Sequence, residues 1–328
     1  MNLAIVGGGS WGTALAIALS PRFESTRLWV HNRALAAEIS HTRRNPAYLP
    51  EITIPEQVQV MTEMGEAVTG ADVVLVVVPS HHVPQVTRQF APHISSRSTL
   101  ISAVKGIDGS SLRRMSEVIS DIVGAFPLAV LSGPSFAREV AEGKPTAVVV
   151  AAQQPAVAEN LQRLLSTPAL RIYTSSDVIG VELGGALKNV IALASGVCAG
   201  LQAGHSALAA LITRGLAEMT RLSLAAGAQA HTLSGLAGMG DLVLTCTGAL
   251  SRNRQVGIEL AKGRTIDDIC ASMQMVAEGV KTTTAALGLA RRWGVEMPIA
   301  EQMQQLLDGV RSPQEAIRVL MERRLKGE

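Results

Sequence analysis

The segment from Asn2 to Leu19 limits the folds open to this chain more than any other. In it a short apolar run passes directly into a glycine-rich turn and then into an alanine-rich helix. Leu3, Ala4, Ile5 and Val6 read as a strand buried on both faces, since an uninterrupted apolar run leaves no polar side for water. Gly7, Gly9 and Gly12 follow with the spacing G-x-G-x-x-G. In that pattern one glycine makes the tight turn, one lets a pyrophosphate approach the backbone, and one lets helix pack closely on strand. A helix beginning near Ser10 aims its unpaired N–H groups at the same phosphates. With 30 glycines in 328 residues such spacings arise by chance. Its position between a strand and a helix is what gives this one meaning.

Length and composition fit two globular domains, and 47% hydrophobic residues suffice for sizeable cores. The net charge is +2 with Lys and Arg scattered, so no basic stripe for nucleic acid is expected. The run Glu322 to Lys326 reads as the solvated last turn of a terminal helix. Cys198, Cys246 and Cys270 form no C-x-x-C pair, which predicts reduced thiols in a cytoplasmic protein and no metal site. The first strand begins at residue 2 or 3, leaving no room for a targeting peptide. Asn189 to Thr213 lacks charge and repeats Gly196, Gly200 and Gly204 at four-residue spacing, which would suit a helix contact in lipid. Asn189, Gln202, His205 and Ser206 interrupt it, so a buried helix is expected there rather than membrane insertion.

From residue 1 to 178 strand-like and helix-like segments alternate, the pattern of a parallel sheet with helices on both faces. Expected strands are Leu28 to Val30, Val58 to Met61, Val73 to Val78, Leu100 to Val104, Leu128 to Leu131 and Ala147 to Ala151. Expected helices between them include Leu35 to Ser40, Val83 to Phe90, Leu112 to Ile119 and Ala156 to Leu165. After Tyr173 the strands stop, and residues 179–328 read as helical, with Ser312-Pro313-Gln314-Glu315 a capping box and Thr265 to Asp268 a similar start. The expected fold class is therefore α/β: an N-terminal Rossmann-like doubly wound parallel sheet over residues 1–178, then an all-helical substrate domain.

Such sheets bind ligands beyond the carboxyl ends of their strands, where this chain carries Gly7 to Trp11, His31 to Arg33, Pro79-Ser80, Lys105-Gly106 and Ser132 to Ser135. An acid after the second strand would hold the ribose hydroxyls of NAD, whereas a basic residue accommodates the 2′-phosphate of NADP. Trp29-Val30-His31-Asn32-Arg33 contains no acid, so NADPH is the expected cofactor with Arg33 on its 2′-phosphate, and NAD stays possible.

In the second half, Thr174 to Asp177 can cap a helix in which Gly184 and Gly185 each cost about 1 kcal/mol relative to alanine. Something must lie close to the backbone there. Lys188 follows among Leu187, Val190, Ile191 and Leu193, and a partly desolvated lysine has its pKa lowered toward the range useful for proton transfer to a carbonyl oxygen. Asp241, in Gly238-Met239-Gly240-Asp241, either caps a helix or orients that ammonium. Ser251 reads as an N-cap, and with Arg252 and Asn253 in the first turn it offers backbone N–H groups, an amide and a guanidinium to a phosphate.

At these residues the chain resembles the bacterial NAD(P)-dependent glycerol-3-phosphate dehydrogenases over nearly its whole length. The resemblance rests on GGGSWGTALA (7–16), NPAYLP (45–50), VVPSH (77–81), AVKGI (103–107), SGPSFA (132–137), GVELGGALKNV (180–190), ALITRGLAEM (210–219), GLAGMGDLVLTC (235–246), SRNR (251–254) and VAEGVKT (276–282). It implies Lys188 as proton acceptor in glycerol phosphate oxidation, and Lys105, Gly133, Ser135, Asp241, Ser251, Arg252 and Asn253 as substrate contacts. It further implies Ser10, Trp11, His31, Arg33, Lys105, Ala137, Arg252, Val276 and Glu278 as cofactor contacts, beside Gly7, Gly9 and Gly12 of the turn. The implied reaction interconverts dihydroxyacetone phosphate and glycerol 3-phosphate for phospholipid synthesis, with no metal. Ser206 departs from the asparagine common in the family at that position. A hydroxy-acid dehydrogenase on the same plan and a dinucleotide sensor are the alternatives, and a homodimer is among the oligomeric states the sequence leaves open.

Overall fold

The computed structural model describes residues 1–272 and 277–324. Eight strands form one sheet: β1 (Asn2–Val6), β2 (Ser25–Trp29), β3 (Val58–Met61), β4 (Val73–Val76), β5 (Thr99–Ser102), β6 (Leu128–Ser132), β7 (Thr146–Ala152) and β8 (Leu170–Ser175). Their spatial order is β8-β7-β6-β5-β4-β1-β2-β3. The chain winds outward both ways from β1, which pairs in parallel with β2 and β4. Alternate residues of β1 enter different cores, Leu3 and Ile5 on one face and Ala4 and Val6 on the other. Helices cover both faces, which is why the strand needed no polar side.

β7 corrects one expectation, since it runs antiparallel to β6 and β8 follows it in parallel. The β6–β7 connection holds only the helix Ala137–Ala141. Five helical residues rise about 7.5 Å, against roughly 17 Å for a five-residue strand. The chain therefore turns back at the end it has reached. β8 and a small antiparallel ribbon, Arg44–Asn45 with Leu49–Thr53, were not anticipated from the sequence. The helix expected from Leu112 starts later, at Met115–Val123, because Leu112 takes a left-handed φ of 60° in a turn held by Asp108.

The first two helices, α1 (Ser10–Leu19) and α2 (Arg33–Thr42), follow β1 and β2. After β8 the described residues form no further strand. Helix α3 (Val178–Gly200) starts on Asp177, whose side chain accepts from Gly180 N at 2.8 Å, and is buried from Gly180 to Val197. It is long and apolar enough to cross a membrane, yet 94% of its apolar window is buried inside the protein. Around it pack α4 (His205–Ala225), α5 (Asp241–Thr247), α6 (Arg252–Ala261) and α7 (Glu278–Trp293). Gly196 and Gly200 do mediate a close helix crossing, against Gly257 and Ile258 of α6. Gly204 lies outside, in the break before α4. The capping box at Ser312 and the start at Thr265 both form as expected.

Candidate active site

The glycine turn, the β-strand ends and the helices around α3 enclose a cleft of about 760 Å³. At the turn each glycine has a separate role. Gly7 adopts φ 130° with Val77 O so near that a side chain would collide, and a Cβ on Gly12 would overlap the Gly7 carbonyl. Gly9 has nothing within 4 Å of where its Cβ would stand. Gly9 also precedes α1 without a side-chain cap, so the first-turn N–H groups have no side-chain acceptor at the N-cap. Open space and unpaired donors at one point fit a dinucleotide pyrophosphate.

Deeper in the cleft, Asp241 is gripped by two lysines. Lys105 Nζ donates to Asp241 Oδ2 at 2.7 Å and to Gly133 O at 2.9 Å, with Ser135 Oγ at 3.5 Å. Lys188 Nζ donates to Asp241 Oδ1 and, at 2.8 Å, to Thr245 Oγ1. Asp241 opens α5 one turn before Thr245, whose hydroxyl in turn donates to Asp241 O at 2.6 Å. Lys188 and Asp241 are almost wholly buried, at 6% and 1% side-chain exposure, whereas Lys105 at 18% meets the cleft more openly. Burial disfavours the ammonium of Lys188 and takes its pKa down to about 7, with Asp241 opposing the shift and Lys105 adding to it. Lys188 can thus exchange a proton near neutral pH, and Asp241 keeps it aimed.

The two glycines ahead of Lys188 are explained by protein rather than ligand. A Cβ at Gly184 would stand 2.6 Å from Ala237 O, and one at Gly185 would overlap the Ser132 hydroxyl. Their absence lets α3 sit against the end of β6 and the turn at Leu236–Gly240, so Lys188 reaches the cleft.

On the far wall Ser251 caps α6, accepting from Arg254 N at 3.3 Å, and Arg252 faces the cleft. Asn253 is tied inward, its Nδ2 donating to Asn189 Oδ1 and its Oδ1 accepting from Gly279 N, each at 2.9 Å. Asn189 passes the chain on by donating to Lys105 O at 3.2 Å. Glu278, the first residue of α7, accepts from Ser80 N at 3.0 Å and Ser80 Oγ at 2.7 Å, which joins the sheet domain to the helices across the cleft.

Of the residues anticipated, Gly7, Gly9, Ser10, Trp11, His31, Lys105, Ser135, Ala137, Lys188, Asp241, Ser251, Arg252, Asn253 and Glu278 line this cleft. Gly12 and Gly133 act from behind it, and Arg33 stands at the exposed start of α2 in an ion pair with Glu63. Val276 lies outside the described residues. Asn189, Thr245 and Tyr48 also line the cleft and are not among the expected site residues, although Asn189 is marked by being a polar interruption of an apolar helix. Tyr48 lies in NPAYLP, one of the runs that carry the resemblance, but the pattern of residues there does not itself predict the ribbon. Asn45 anchors the ribbon by donating to Gly8 O at 2.9 Å and Thr13 Oγ1 at 2.8 Å.

Comparison with known proteins is consistent along the chain. Residues 2–158 match the family described as NAD-dependent glycerol-3-phosphate dehydrogenase N-terminus, and residues 177–318 match the corresponding C-terminus. A glycerol-3-phosphate dehydrogenase (NAD(P)+) of Koribacter versatilis is 52% identical over 98% of this chain and 97% of its own length. That of Acidobacterium capsulatum is 51% identical over 98% of each. The crystal structure of glycerol-3-phosphate dehydrogenase from Coxiella burnetii superposes with a TM-score of 0.95 at 38% identity, covering 98% of this chain and 99% of its own.

Proposed function

Since the chain belongs to the NAD-dependent glycerol-3-phosphate dehydrogenase family, we propose how this cleft carries out the family's reaction. The protein is an oxidoreductase that interconverts dihydroxyacetone phosphate and sn-glycerol 3-phosphate with NAD(P)H, supplying glycerol phosphate for phospholipid synthesis. The observation that carries the mechanism is the buried Lys188–Asp241 pair in the cleft that also contains the glycine turn. Residues 1–178 hold the dinucleotide, and residues 179–328 carry the proton donor and the phosphate clamp. Ser10, Trp11, His31, Ala137 and Glu278 contact the cofactor with the turn, and Arg33 takes the 2′-phosphate.

A reduced nicotinamide bound in the cleft supplies the hydride. Lys188 donates a proton to the carbonyl oxygen as charge develops on it, and Asp241 with Thr245 holds the ammonium in line. Lys105 and Ser135 contact the substrate between the two domains. Ser251, Arg252 and Asn253 bind its phosphate, turning remote binding energy into orientation at the carbonyl. The reading of a cytoplasmic enzyme is supported by Cys198, Cys246 and Cys270, all free thiols.

The clamp is tested by comparing dihydroxyacetone phosphate with dihydroxyacetone. Removing a charge-assisted contact typically costs about 1.5–3 kcal/mol. Arg252→Ala should therefore lower kcat/KM for the phosphorylated ketone by roughly ten- to a hundredfold and hardly alter the low rate with dihydroxyacetone. NADPH affinity, titrated separately, corrects for any contact Arg252 makes with the cofactor. Equal losses on both ketones would show that Arg252 does not bind the phosphate.

A further inference from the structure

The strand end after β2 lacks an acid, but the neighbouring strand supplies one. β3 ends at Met61 and its continuation stays beside β2: Val30 N donates to Met61 O at 2.8 Å, and the Trp29 indole N–H donates to Thr62 O at 2.9 Å. The next residue is Glu63, and Arg33 donates to its Oε1 at 2.6 Å. Both side chains are exposed, Arg33 at 79% and Glu63 at 56%.

In this fold an acid at that rim holds the ribose hydroxyl of NAD, and a base holds the 2′-phosphate of NADP. Here the two stand in contact, one beyond the end of each of two adjacent strands. We propose that Glu63 is a specificity-determining residue: its carboxylate accepts the adenosine ribose hydroxyl of NADH, and it competes with the 2′-phosphate of NADPH for Arg33. The proposal rests on the reading of Arg33 as the 2′-phosphate contact. Exposed ion pairs are weak, so Arg33 changes partner readily. The chain then accepts both cofactors, and its preference for NADPH stays below what Arg33 alone would set.

The test is equilibrium binding of NADPH and NADH, followed by the fluorescence of the reduced nicotinamide, to wild type, Arg33→Ala, Glu63→Ala, Glu63→Gln and the double variant Arg33→Ala/Glu63→Ala. Glu63→Ala should tighten NADPH by about fivefold, the upper range for freeing an exposed pair, and weaken NADH. Glu63→Gln should keep NADH binding, because its amide oxygen still accepts, while tightening NADPH. In the Arg33→Ala background most of the NADPH gain should vanish. If Arg33→Ala weakens both cofactors equally, the Arg33 reading fails and this proposal falls with it. If Arg33→Ala weakens NADPH selectively but neither Glu63 variant shifts the ratio, Arg33 stands and the role of Glu63 is overturned.

Discussion

Lys188→Ala is expected to lower turnover by roughly 10²- to 10⁴-fold, the range for loss of a positioned general acid, with NADPH affinity essentially unchanged. The pH profile carries the same claim in the wild type. Burial holds the Lys188 ammonium near a pKa of about 7, so the protonated form needed for ketone reduction is lost as pH rises through that value. Reduction should fall on the alkaline side, and oxidation of glycerol 3-phosphate, which needs the free amine, should rise over the same interval. Lys188→Arg keeps a cation that does not deprotonate in this range and should abolish that limb along with most of the activity. A folded Lys188→Ala enzyme turning over near the wild-type rate would remove Lys188 from the mechanism.

The second large effect is expected at Asp241, where one carboxylate pairs with both Lys105 and Lys188. Asp241→Asn leaves Lys105 and Lys188 facing each other in a largely buried site without their shared counter-charge. Removing one partner of a buried pair typically costs about 3–5 kcal/mol of stability, so Tm should drop clearly in thermal unfolding. Asp241 also raises the Lys188 pKa, so its loss should move the alkaline limb of the reduction profile to lower pH. This shift separates an electrostatic partner from a residue that only caps α5. A variant with reduced Tm but an unmoved limb would leave Asp241 a structural role alone.

The legible parts of this chain were those whose cause lies within one turn of chain. The β1–turn–α1 unit is such a case, because its apolar run and glycine spacing are consecutive in the chain; Gly12 is required by the Gly7 carbonyl within the unit, Gly7 by Val77 O beyond β4, and Gly9 leaves its space open. Gly184 and Gly185 were readable as an anomaly, a costly pair within a helix, and the close neighbours they imply are Ala237 O and Ser132. The direction of β7 was not legible, since apolar residues look alike in parallel and antiparallel pairing and only the short preceding helix decides. Contacts distant in sequence were equally silent: Asn45 on the glycine turn, Ser80 on Glu278, and Glu182 of α3 accepting from Arg114 at 2.7 Å. Glu63 belongs with these. Reading the β2 end alone predicts a rim without an acid, and only the register of β3 beside β2 brings one there.

The most direct test of the account is to supply NADPH deuterated at C4 together with dihydroxyacetone phosphate and to analyse the product. The account predicts sn-glycerol 3-phosphate bearing deuterium at C2, formed at a rate that collapses in Lys188→Ala. Absence of that product, or glycerol 3-phosphate formed without deuterium at C2, would contradict it.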